Sequence, residues 1–271
     1  VRHYGLDVGL LQPGDDADLL EVDLHDDFRI LRTFIRGVPV AERGRPLIQR
    51  QPARVVNRFH CNRKPPGAFT VPTGKGLLRV IQALEGQVYT ESMTLEPASD
   101  RGTAVPDIGR DLLKIAVVNR YEDRPPAVGF VRGFGLEDGA IASSVAHDSH
   151  NIVAVGASDE AICRAVNLLV DTRGGLAATG RGREAVFPLP VAGLMSDEPF
   201  EKAAAAYLAL DRMARDMGSP LSAPFMTLSF MALTVIPRLK LSDRGLFDGD
   251  RFTFTGLFTE DGPPDTGRKS P

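Results

Sequence analysis

The sequence predicts a mixed α/β (α+β) fold: a central mixed sheet with flanking helices, preceded by the closing strands of a second β-structure. Three observations lead there. Residues 69–157 form a series of short β-branched or alternating runs broken by Gly and Pro, two capped helical patterns follow, and residues 28–41 alternate apolar and charged side chains around Arg36-Gly37. The expected organisation is closing strands over 1–45, an Arg/Pro-rich connector over 46–68, the α/β domain over 69–258 and a polar, disordered tail over 259–271.

Each element has a local reason. In "FRILRTFIRGVPVA" (28–41) the glycine supplies the positive φ that a tight hairpin turn needs. "FTVP", "LLRVIQAL" and "QVYTESMTLEP" read as strands, and "DLLKIAVVNRY" is a continuous apolar run typical of a strand covered on both faces. "AVGFVRGFG", "GAIASSVA" and "IVAVGA" continue the series. Ser158 is placed to cap the helix "DEAICRAVNLLVDT", in which Ile162, Ala165, Val166 and Leu169 recur at helical spacing until Gly174-Gly175 stop it. With "IVAVGA" before it and "GLAATG" after it, this helix predicts a right-handed β-α-β unit. A second helix, "EKAAAAYLALDRMARDM", is expected with Ser196 or Asp197 as its cap, Pro199 in its first turn and Gly218 at its end. "FMTLSFMALTVIPRLKL" (225–241) is expected as a strand plus a turn.

The composition, 43% hydrophobic and 25% charged over 271 residues, is that of an ordinary globular chain. A formal charge of −3 with scattered Lys and Arg argues against nucleic-acid and membrane-surface partners, which require a clustered basic face. No window approaches the roughly 18 apolar residues of a membrane span, so a cytoplasmic protein is expected. Cys61 and Cys163 lack a CxxC partner and are expected as packing or surface thiols. The chain opens at Val1 without a methionine, as if in mid-fold, and is expected to be a fragment.

The chemistry-bearing residues concentrate between two strand-like runs, where His147, Asp148, Ser149, His150 and Asn151 are adjacent. Three readings compete. A metal site needs converging ligands; HDSH offers i, i+3 spacing in a loop, and His3, His25 and His60 form no HxH pair, so no complete site is expected from this chain. A polar recognition loop would hydrogen-bond or exchange protons with a ligand held elsewhere. A plain turn would use Asp148 or Ser149 to cap free backbone amides. "GLMSDEP" (193–199) brings Asp197 and Glu198 to a helix start, either as an ordinary cap or as a wall of a site. "RGGL" (173–176) lacks the spacing of a phosphate loop and is expected as a helix C-cap.

"FVRGFGLEDGAIASSVAHDSHNIVAVG", "PLPVAGLMSDEP" and "PFMTLSFMALTVIPRLKLSDRGL" resemble, in order and spacing, the carboxy-terminal domain of bacterial adenine deaminases. The opening "HYGLDVGLLQPGDDADLLEVD", followed by "TFIRGVPV", is similar to the segment in which an amidohydrolase chain leaves its metal-bearing barrel and completes a small β-sandwich. The resemblance, over residues 1 to 250, implies hydrolytic deamination of adenine to hypoxanthine and ammonia by water activated on a binuclear Mn²⁺ or Fe²⁺ centre. The metal ligands would lie in a barrel that this chain lacks, so no metal ligand is expected here. The resemblance further implies adenine and the chain's own N-terminal barrel as partners, and a homo-oligomer. His147, Asp148 and His150 become the expected hydrogen-bonding or proton-handling residues, with Ser143, Ser144, Asn151, Met195, Ser196, Asp197 and Glu198 as substrate-binding neighbours. A non-catalytic purine-binding or regulatory module, or a subunit of a split deaminase, are the rival readings. Tyr121 stands where relatives usually carry a histidine.

Overall fold

A computed structural model of the chain describes residues 1–25, 27–49 and 51–259; of the expected tail, 260–271 lie outside the described residues. Two compact units divide between Ala53 and Arg54.

In the first unit, β1 (Leu19–Asp23), β2 (Arg29–Ile35), β3 (Val38–Glu42) and β4 (Arg45–Pro46) form a four-stranded antiparallel sheet. The expected hairpin joins β2 to β3, with Arg36 and Gly37 both at positive φ, +48° and +76°. Two successive positive φ values match the right-handed twist of the flanking strands.

In the second unit the main sheet is built from β6 (Leu78–Gln82), β7 (Glu91–Leu95), β10 (Leu113–Val118), β11 (Ala127–Arg132), β12 (Ala140–Ser143), β13 (Ile152–Gly156), β14 (Gly175–Gly180) and β15 (Arg183–Pro188). Across the sheet the order is β15-β14-β12-β13-β10-β11-β6-β7, and among the described residues β6 and β11 are the one parallel pair of neighbours. β5 (Val71–Pro72), β8 (Ser99–Asp100) and β9 (Thr103–Ala104) make a small sheet, and β16 (Leu239–Ser242), β17 (Gly245–Asp248) and β18 (Thr253–Phe254) another.

Every residue of β10, β12, β13 and β14 is buried because helices and loops cover both faces of the sheet. Alternate residues serve the two faces. Ile115, Val117, Ile141, Val153, Val155 and Leu176 point into one core with Leu210 and Met213, Phe225 and Leu228, and Leu239 and Leu241. Ala116, Ala140, Ala142, Ala154 and Ala177 point into the other, against helix α1 (Asp159–Thr172). Small side chains let α1 lie close: a Cβ on Gly156 would sit 2.8 Å from Ile162 Cγ1. β13 and β14 both run antiparallel to β12, hence parallel to each other, which realises the expected β-α-β unit with β12 between its strands.

The cap of α1 is as expected, the Ser158 hydroxyl accepting from the Ala161 N–H at 3.1 Å. Its end is the expected C-cap, Arg173 at φ +57° and the Gly174 N–H donating to the Leu169 carbonyl. Lys114, buried within β10, donates to the Phe69 carbonyl and to Asp159 in the first turn of α1 at 2.6 Å.

Three expectations are corrected. Helix α2 (Phe200–Asp216) starts after Pro199, with neither Ser196 nor Asp197 capping it; Ser196 Oγ instead accepts from the Glu198 N–H, closing a local turn before the helix. The run expected as a strand opens with helix α3 (Pro224–Ser229), and extended backbone begins only at Leu239. Pro224 in its first turn presets a helical φ, and Phe225 and Leu228 bury the same face at i, i+3. Within the stretch expected as a connector, Phe59 and Cys61 are core residues, and the His60 N–H donates to the Arg120 carbonyl. Both cysteines are buried free thiols.

Candidate functional site

The β12–β13 connection carries the histidine cluster, and its ends are held by buried polar groups. Ser143 Oγ accepts from the Val145 N–H at 2.9 Å. Ser144, fully buried, donates to the Gly193 carbonyl at 2.6 Å and accepts from the Gly175 N–H at 2.8 Å, tying the strand end to the 190s turn. Asn151, 2% exposed, accepts from the Arg120 N–H at 3.3 Å. Ser144 and Asn151, expected at the substrate, are thus committed to the scaffold.

Between these anchors the backbone is pinned but the imidazoles are not. The His147 N–H donates to the Ser229 carbonyl, and the His150 N–H to the Ala146 carbonyl, at 2.9 and 2.7 Å. The His147 ring stacks on Phe230 at 4.9 Å and meets the His150 ring at 5.8 Å. No described residue hydrogen-bonds to the His147 side chain, and His150 Nδ1 is buried with no partner among the described residues. Burial, reinforced by His147 and Arg120 and opposed by Asp148, pulls the His150 pKa below the usual imidazole value. The ring is therefore neutral at pH 7, able to accept a proton or donate a hydrogen bond. Asp148 and Ser149 are exposed.

Arg120 is the hub behind this loop, and sequence reasoning missed it. At 4% exposure it donates from Nη1 to the Ala192 carbonyl at 2.7 Å and from Nη2 to Tyr121 Oη at 3.0 Å. Tyr121 in turn donates to the Ser149 carbonyl. The signal available was an arginine directly after a fully buried strand, where a charge is retained only with partners.

The 190s turn contributes less directly than expected. Val191 bridges Met195, Met195 is 57% exposed, and Glu198 pairs with Lys202 at 3.4 Å. Leu194, from the same turn, reaches a cavity of about 260 Å³. Ser143, Val145 and His147 line that cavity together with Leu176 and Phe187, Tyr207 of α2, and Phe225, Met226 and Ser229 of α3. The structure therefore brings Ser143 and His147 to one concave site and leaves Met195 outside its lining. Among the described residues no group of three or more His, Cys, Asp or Glu converges, so these side chains do not by themselves fit a metal centre. Among them, too, no helix is long and apolar enough to cross a membrane.

Residues 87–253, most of the second unit, match the family described as the adenine deaminase C-terminal domain. The chain belongs to that family. It is 53% identical over 262 residues to a protein of Salinibacter ruber named adenine deaminase, covering 96% of this chain and 48% of that relative. Relatives of the same name from a Sulfurovum species and Methanosarcina mazei are 50% and 45% identical, over 94% and 96% of this chain. The chain spans about half the length of these curated relatives. The family match takes in the histidine loop, the Arg120–Tyr121 hub and the cavity lining together.

Proposed function

We propose that this chain is the carboxy-terminal part of a hydrolase that deaminates adenine to hypoxanthine and ammonia, and that the 147–151 loop frames the base. What carries the reading is the match over residues 87–253, together with likeness to relatives named adenine deaminase. In it the water-activating metal pair, manganese or iron, belongs to polypeptide outside these residues, since they do not make a metal site of their own. The first unit would complete the β-sandwich beside that polypeptide. The protein would act as a cytoplasmic homo-oligomer in purine metabolism, with neither nucleic acid nor membrane as partner.

The residues present divide the work. Arg120, Tyr121, Ser144 and Asn151 hold the loop; His147, its imidazole free, and His150, held neutral, offer hydrogen bonds or a proton acceptor near pH 7. Asp148 is exposed at the tip, where a carboxylate stays ionised and solvated.

The test uses a chimera in which this chain replaces the matching stretch of the Salinibacter ruber relative. His147→Ala and His150→Ala are each expected to lower kcat/KM for adenine by about 10²-fold or more, the range of a lost proton-transfer or orienting group. Wild-type kcat and KM in both variants would reduce the loop to a structural turn. The 271-residue chain alone is expected to be inactive and to hold no tightly bound metal; stoichiometric manganese with turnover would overturn that.

A further inference from the structure

We propose that the cavity under the histidine loop is a binding site for a planar, two-ring heteroaromatic molecule. Its identification as a purine base rests on the function proposed above. Size comes first. A cavity of about 150 Å³ lined by aliphatic and aromatic groups holds benzene. The cavity here measures about 260 Å³, room for a second fused ring but small for a drug-sized ligand.

Its walls set the shape. Leu176, Phe187, Leu189, Leu194 and Phe225 are apolar and come from strands, a turn and a helix of one packed unit, so the space is held open by the scaffold. Two polar side chains among the lining have nothing else to do. Tyr207 and His147 make no side-chain hydrogen bond among the described residues. The other two polar lining groups are committed: Ser229 Oγ donates to the Met226 carbonyl at 2.7 Å, and Ser143 Oγ is engaged with Val145. An apolar slot with two uncommitted groups, a phenol and an imidazole, suits a flat ring whose edge carries both donors and acceptors. A saturated lipid tail would leave both groups without partners, and a phosphate would meet no cation in the lining.

The experiment titrates adenine, hypoxanthine and benzimidazole separately into the 271-residue chain, followed by backbone amide shifts and saturation-transfer NMR. All three are expected to shift amides at Ser143, Val145, His147, Tyr207 and Ser229. Met226 is 54% exposed at the rim, so Met226→Trp is expected to block entry while the fold is retained, weakening all three at least tenfold. Tyr207→Phe keeps the wall and removes one hydrogen bond, and should weaken the two purines by about 3- to 10-fold. If benzimidazole binds at these residues and neither purine does, the site stands and the deaminase reading fails. Absence of shifts there with all three probes, or shifts that both variants leave unchanged, would overturn the site.

Discussion

Tyr121 donates its phenolic hydrogen to the Ser149 carbonyl at 2.9 Å while its oxygen accepts from Arg120 at 3.0 Å, so one side chain joins the hub to the histidine loop. The Arg120 guanidinium also lies over the Tyr121 ring, 4.8 Å from its centroid. Where relatives usually place a histidine, this chain thus uses a longer side chain to reach the loop.

Tyr121→Phe is expected to keep the stacking and lose both hydrogen bonds. The ring is partly exposed, so the stability cost should be only about 1 kcal/mol. The loop should respond more than the fold: amide exchange at 147–151 accelerates about fivefold, the rate equivalent of that energy, while exchange in β10 and β13 is unchanged. Equal acceleration in the strands would mean that Tyr121 serves the core instead.

Gly193→Ala is expected to be far more costly than an exposed turn substitution. Gly193 has φ +70°, and a Cβ there would overlap Arg120 Nη1. Backbone strain and displacement of a buried guanidinium together should cost about 2–4 kcal/mol in urea unfolding. A loss under 0.5 kcal/mol would show that Arg120 is free to move aside.

Lys240 makes the fold sensitive to alkaline pH. It is fully buried, donates to the Val88 and Phe230 carbonyls, and has no ion-pair partner among the described residues; burial pulls its pKa from 10.5 down to about 8. Between those values the unfolded chain binds the proton that the folded chain has released, so this group raises stability as pH rises from about 8 to 10.5. Buried Cys61 and Cys163, whose thiols are pushed up, act in the opposite sense over the upper part of that window. The comparison is therefore wild type against Lys240→Met. Subtracting the two stability-against-pH curves should leave a positive slope over that range; a flat difference would show that the lysine stays protonated in the fold.

Much of the fold was legible where a local rule governs. The Arg36-Gly37 turn, the Ser158 cap and the apolar run of β10 all follow from nearest neighbours. Residues 224–236 misled because a continuous apolar run carries no period, and tertiary burial, not pattern, decides between strand and helix. Pro199 displaced the expected cap because its fixed φ starts the helix without a side-chain acceptor. The histidine loop was visible as excess polarity between strands. The roles of its neighbours were not, since Ser144 meets Gly193 across 49 residues and Arg120 meets Ala192 across 72. Tyr207 and Phe225, which complete the cavity, looked like ordinary helix and core residues, as each does in its own segment.

The alanines at 140, 142 and 154 leave the sheet thin on the side of α1. A methylene added at Ala142 would lever the helix outward and would also disturb the next two positions, Ser143 and Ser144, which aim the loop. Drift in what the cavity accepts is therefore steered to the far layer, where Leu194, Phe225 and Met226 can trade bulk among themselves without bending the platform.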